Sequence, residues 1–226
     1  MKAEWIVHSG SRKLLLFFNG WGMDRRVAEW LVSSSSAFAG RDFAVVYDYR
    51  TPSLPGWLGE AVDGADSVEL LAWSMGVWAA ARAGLDKVDF AVALNGTPWP
   101  RDAGRGIASE VFMGTLDGWN DLNRQRFERR MMTGVPPEIV ETVRSERSCA
   151  GQKEELQAIA DVLSIDREQA VAAWNYSKAI VGECDQIFRA ENQCCAWLEA
   201  GVPVTEYPAM PHFPFHHPEV LEELLA

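Results

Sequence analysis

No run in this 226-residue sequence approaches the stretch of about 20 apolar side chains that crosses a bilayer; LLLFF at 14–18, five residues long, is typical. A soluble chain is expected. Basic charge is also scarce, with 21 Lys and Arg against 32 Asp and Glu, a net charge of −11. A protein that follows a phosphate backbone needs a net basic face, so nucleic acid is a poor partner. The opening MKAEWIVHSGSRK lacks an apolar h-region and a small-residue cleavage site, so no secretory signal is expected and the expected compartment is the cytoplasm. The four cysteines, Cys149, Cys184, Cys194 and Cys195, fit no zinc spacing and read as reduced thiols that help fill a core.

What is present is ordinary for a globular body: 48% apolar and 23% charged residues, with 18 Gly and 11 Pro. That excludes disordered, collagen-like and coiled-coil chains. A single body of this length buries roughly 70% of its unfolded surface. Ten Trp is the unusual count.

Short apolar runs alternate with longer helical patterns. Strands are predicted at 14–18, 43–47, 68–73, 88–94, 179–181 and 202–207, with 4–7 as an antiparallel edge. Asp24 is placed to cap a helix whose apolar positions are Val27, Ala28, Trp30 and Leu31. Strand, helix, strand at this rhythm predicts an α/β fold with a largely parallel sheet covered on both faces. From 96 to about 175 the rhythm stops, and only polar helical pattern carrying Trp119, Phe127, Met131, Met132 and Trp174 is left. We read 1–100 and 176–226 as the core and 101–175 as a helical lid inserted in it, too small for a rich core of its own.

Chemistry enters at Ala72-Trp73-Ser74-Met75-Gly76, which closes a predicted strand and opens a predicted helix. A serine at the apex of such a turn needs small residues two before and two after it, so that strand and helix can pass; Ala72 and Gly76 meet that need. The serine also needs a base. Of the four His, His8 lies far upstream, whereas His212, His216 and His217 cluster beyond the last strand; the rigid Met210-Pro211-His212-Phe213-Pro214-Phe215 favours His212. His216 and His217 precede Pro218 and read as caps of the final helix. An acid must then orient the imidazole. Asp185, just after a predicted strand, is favoured over its neighbour Glu183 and over Asp161 and Asp166 in the insertion. Oxyanion donors are expected from the backbone of Met75, after the serine, and of Trp21 in Gly20-Trp21-Gly22. Trp21, Trp73, Phe213 and Phe215 are candidates for the wall of an apolar acyl channel.

Together, FFNGWGMD at 17–24, AWSMGVW at 72–78, NGTPWP at 95–100 and HFPFHH at 212–217 resemble the BioG-type pimeloyl-acyl-carrier-protein methyl ester esterases of biotin synthesis, which have the α/β hydrolase fold. The likeness extends from 14 to 217. It is most specific in Asn-Gly-Trp-Gly, where most α/β hydrolases have His-Gly. The resemblance implies Ser74 as nucleophile, Asp185 as acid, His212 as base, and Trp21 with Met75 as oxyanion donors. Ala72 departs from the wider hydrolase pattern, which has Gly at that place. The implied reaction is hydrolysis of a methyl ester on pimeloyl-acyl-carrier protein, releasing methanol, with no cofactor and no metal.

Carrier proteins are acidic, as is this chain, so docking would need a local basic surface. Residues 122–131 hold Arg124, Arg126, Arg129 and Arg130 against Glu128 alone. These arginines are candidates to meet the carrier protein or its phosphopantetheine phosphate, a solvated helix face being the plain alternative. Other readings of the same residues are a thioesterase or broad short-chain esterase, and a non-catalytic ligand-binding protein on a hydrolase scaffold.

Overall fold

The computed structural model describes residues 1–165 and 174–224. In chain order its elements are β1 (Lys2–Val7), β2 (Lys13–Phe18), α1 (Arg26–Ser34), β3 (Asp42–Tyr47), α2 (Gly56–Gly64), β4 (Ser67–Trp73), α3 (Met75–Ala81) and β5 (Phe90–Leu94). Then come α4 (Ser109–Asp117), α5 (Asp121–Met131), α6 (Pro137–Val143), α7 (Cys149–Ile165), β6 (Lys178–Gly182), α8 (Ala190–Glu199), β7 (Val204–Tyr207) and α9 (Pro218–Glu223). The strands form one sheet in the order β1-β3-β2-β4-β5-β6-β7, parallel except for β1, which runs antiparallel to β3 at the edge. This is the α/β architecture expected of the pattern.

The unbroken apolar runs lie where both faces are covered. Leu14 to Phe18 in β2 are all buried, and β2 pairs with β3 on one side and β4 on the other. Two cores result, one on each face of the sheet. Phe18, Leu70, Ala72 and Val77 belong to one; Phe17, Leu71, Trp73 and Val92 belong to the other. Their separation is the period-2 alternation of a strand.

Some expected boundaries move. Paired strand begins at Phe90, because Asp89 first takes the Val68 N–H on its side chain. It begins again near 204, because the Val202 N–H closes the end of α8 on the Trp197 carbonyl. Asp24 does not occupy the cap position of α1, which falls on Arg25; its carboxylate instead accepts from Arg26 N (3.1 Å) and, across the molecule, from Glu146 N (2.7 Å). His217 holds the cap position of α9 without a side-chain capping bond, and His216 bonds the Phe213 carbonyl. The cysteines are poor core: Cys184 and Cys195 are exposed, and Cys149 and Cys194 half-buried. Among the described residues no strand interrupts the segment between β5 and β6, which carries α4 to α7.

Asp42, at the start of β3, ties down the β1–β2 turn. Its carboxylate accepts from the backbone of Ser9, Gly10 and Ser11, from the Ser9 hydroxyl, and pairs with His8 Nδ1 at 3.0 Å. Burial alone would raise its pKa, but the hydrogen bonds from Ser9, Ser11 and His8 outweigh that and lower it to about 2. A carboxyl whose pKa falls on folding contributes stability above its ordinary value of 3.8, and that contribution is lost as pH drops toward about 2. Urea midpoints measured from pH 5 to pH 2 should therefore place Asp42→Asn below the parent at pH 5, with the gap narrowing as pH falls; a constant gap would contradict this account.

Candidate active site

Ser74 stands between β4 and α3 with φ 58° and ψ −125°, a backbone region a non-glycine residue occupies only under constraint. The constraint is visible at Gly76. A Cβ there would lie 2.1 Å from the Phe18 carbonyl oxygen and 2.7 Å from that of Asn19, so α3 passes this close to the end of β2 only because the position has no side chain. Ala72, opposite Phe18 in β2 and Ala93 in β5, is accommodated in the turn without a glycine.

His212 Nε2 lies 3.0 Å from Ser74 Oγ, and its Nδ1 lies 2.8 and 2.9 Å from the two oxygens of Asp185. The imidazole and the carboxylate are buried, and Ser74 is nearly so. Asp185 follows β6 and is held from its own loop, where Oδ1 accepts from Ile187 N (2.7 Å) and Phe188 N (3.0 Å), and from α8, where Oδ2 accepts from Gln193 Nε2 (3.2 Å). Phe188 stacks parallel to the imidazole at 6.2 Å. The chemistry open to this arrangement is proton removal from a serine by an oriented imidazole.

The rival acids stand elsewhere. Glu183 is exposed, Asp161 is an exposed partner of Gln157, and Asp166 lies outside the described residues. His8 is occupied with Asp42.

Two residues given no role from sequence hold the site, one the His212 loop and the other Asp185. Asn95, in the left-handed region at φ 43°, donates from Nδ2 to the carbonyls of Pro211 (2.8 Å) and His212 (3.0 Å) and accepts from Gly182 N (2.8 Å). Gln193 supports Asp185 from α8. The available signals were the Asn-Gly pair at the end of β5 and a polar residue on the inner face of a helix.

A narrow cleft, with room of about 50 Å³, opens at Ser74. Trp21, Trp73 and Met75 line it, with Ile107, Phe112 and Thr115 among the residues contributed by the insertion. Phe213 and Phe215, expected on this wall, are instead fully buried behind it, packed edge-on against Trp73 at 5.5 Å. The Pro211–Phe215 turn sends its aromatics into the core on the Trp73 side of the sheet and only its imidazole toward Ser74. Trp73 itself donates to the His212 carbonyl (2.8 Å).

The four arginines of α5 divide. Arg124 is taken up internally by Glu128 (2.8 Å) and by the carbonyls of Arg147 and Ser145 (3.0 and 3.1 Å), which removes it from the docking set. Arg126, Arg129 and Arg130 are exposed and line a groove between α4 and α5. That groove shares Val111, Thr115, Phe127 and Arg130 with the cleft.

A mostly parallel sheet with a serine on a strand-to-helix turn, met by an imidazole and a carboxylate from later loops, defines an α/β hydrolase. Solved structures agree: an esterase from Exiguobacterium antarcticum superposes with TM-score 0.70 at 14% identity, covering 99% of this chain and 93% of that one. The family is more specific. A model described as pimeloyl-ACP methyl esterase BioG matches residues 1–220, and the chain belongs to that family. BioG from Haemophilus influenzae superposes with TM-score 0.80 at 27% identity over 98% of this chain and 99% of that one. A malonyl-[acyl-carrier protein] O-methyltransferase of Bacteroides fragilis is 36% identical over 190 residues, 82% of this chain and 36% of the relative. The chain thus spans about a third of that relative's length.

Asn95→Ala should leave the Pro211 carbonyl and the Gly182 N–H buried without these partners, and it puts a residue less tolerant of positive φ at that site. A loss of about 3 kcal/mol in chemical denaturation is expected; a loss under about 1 kcal/mol would mean that the loop is held by other contacts.

Proposed function

We propose that the protein is a serine ester hydrolase that removes the methyl group from pimeloyl-acyl-carrier-protein methyl ester during biotin synthesis, acting in the cytoplasm. The observation that carries this is the hydrogen-bonded chain Ser74–His212–Asp185 at the floor of an apolar cleft, in a member of this family. His212 takes the hydroxyl proton as Ser74 Oγ attacks the ester carbonyl. The oxyanion is met by the backbone N–H groups of Met75, which as the first residue of α3 has no partner within the helix, and of Trp21. His212 then gives its proton to the departing methoxide, methanol leaves, and a water deprotonated by His212 hydrolyses the acyl-serine.

The substrate also contains a thioester, which is intrinsically at least as open to attack. Selectivity is then a matter of position: a chain entering methyl end first leaves its thioester outside, beyond reach of Ser74. The methyltransferase relative lends support, since O-methylation of a malonyl carrier protein creates the kind of ester that this reaction removes.

We assign the insertion 101–175 the part of a lid over the cleft, and Arg126, Arg129 and Arg130 the part of a local basic surface for an acidic carrier. They flank the groove that leads to the cleft in a molecule of net charge −11.

A fluorophosphonate should add once to the protein and not at all to Ser74→Ala. Methanol should be released from the carrier-bound methyl ester with the thioester intact; release of free carrier thiol instead would favour a thioesterase. Reversing Arg126 and Arg129 to Glu should raise KM for the carrier-bound ester about tenfold and leave that for a small free ester unchanged. An unchanged KM for both would remove the docking role.

A further inference from the structure

The oxyanion loop is gripped by the insertion. Trp21 donates its indole N–H to the Gln152 carbonyl (2.9 Å), the Gly22 carbonyl accepts from Gln152 Nε2 (2.9 Å), and the Gly22 N–H donates to Glu155 Oε2 (3.2 Å). Gln152 and Glu155 lie one turn apart on α7 and therefore share a face. Glu155 is completely buried. Its Oε1 takes the Tyr49 N–H (2.9 Å) beyond the end of β3, and Arg147 pairs with its Oε2 at 2.5 Å while also bonding the Met23 carbonyl (3.4 Å). Burial pushes this carboxyl's pKa up, with Arg147 opposing.

An ion pair buried this deeply is a weak source of stability, because desolvation offsets most of the attraction. Its geometric effect is specific. One carboxylate and one amide hold both backbone polar groups of a single residue, Gly22, whose φ of +75° lies in the left-handed region that favours glycine. The residue so fixed on its C-terminal side is Trp21, which lines the cleft beside Ser74 and Met75.

We propose that Gln152 and Glu155 are positioning residues that aim the backbone N–H of Trp21 at the oxyanion. This rests on the esterase function proposed above. It also gives the insertion two parts: its outer helices cover the cleft, while the first turns of α7 are a fixed support of the reaction centre. Neither side chain touches substrate. Their effect is transmitted through the loop, and a donor set in advance stabilises the transition state more than the ground state.

The test uses the full chain with Gln152→Ala and Glu155→Gln; the amide in the latter accepts from one backbone N–H and turns a donor toward the other or toward Arg147. Active sites are counted by fluorophosphonate titration and folding is checked by thermal melts. With p-nitrophenyl butyrate, kcat per titrated site should fall about tenfold or more while KM stays within about twofold. The inhibition constant of a trifluoromethyl ketone, which adds to serine as a tetrahedral oxyanion, should rise by the factor that kcat/KM falls. A purely structural role would lower the melting temperature and the titrated fraction but leave kcat per site and ketone affinity unchanged, and that result would overturn the inference. Should Glu155→Gln not fold, Gln152→Ala decides alone. Wild-type protein that takes no fluorophosphonate overturns the esterase function itself, and this inference with it, before any variant is compared.

Discussion

The site depends on where the main chain runs at Pro211 and His212. An imidazole that must reach a hydroxyl on one side and a carboxylate on the other has little freedom, and this one is set by its backbone. Asn95 and Trp73 hold the His212 carbonyl, Asn95 also holds that of Pro211, and Phe188 flanks the ring. Those supports come from the ends of β4 and β5 and from the loop after β6. In a parallel sheet all such ends lie along one edge, so residues far apart in sequence converge there.

Burial sharpens the arrangement. Asp185 is removed from water but accepts from two backbone N–H groups and from Gln193 as well as facing His212, so its oxygens have defined partners and its orientation is determined. Ser74 is held on a strained turn whose close passage against β2 is possible because Gly76 has no side chain. Strain at one residue is sustained by packing over many.

The insertion between β5 and β6 both lines the cleft and supports the loop at Trp21. Trp119 and Phe127 pack on Trp21, at 4.5 and 5.2 Å, so a segment that lines the cleft also backs the loop beside Ser74. Its charge is divided in the same manner. Arg124 and Arg147 face inward and join segments of the insertion to one another and to the core, whereas Arg126, Arg129 and Arg130 face solvent. Equal charges on one helix thus have unequal settings: Arg124 is engaged by Glu128 and two carbonyls, whereas Arg126, Arg129 and Arg130 stay at the surface.

Much of this was legible in the chain, for local reasons. A five-residue apolar run buried on both faces, a serine between a strand and a helix with small residues two positions away, and a carboxylate after one strand with a histidine after the next are short-range patterns, and each is found where expected. Phe213, Phe215 and Arg124 were misplaced because their neighbours, not their types, determine what they do. Asn95 was noticed only as part of a family motif and given no role, and Gln152, Gln193 and Glu155 drew no notice, since an isolated polar residue carries no period. The sequence by itself determined the sheet, its edge strand and the chemical identity of the groups at its rim, because periodicity and turn chemistry act over a few residues. Only the tertiary structure decided which side chains face the cleft and which hold its backbone in place, because that depends on contacts between segments as far apart as 22 and 155, which no local pattern encodes.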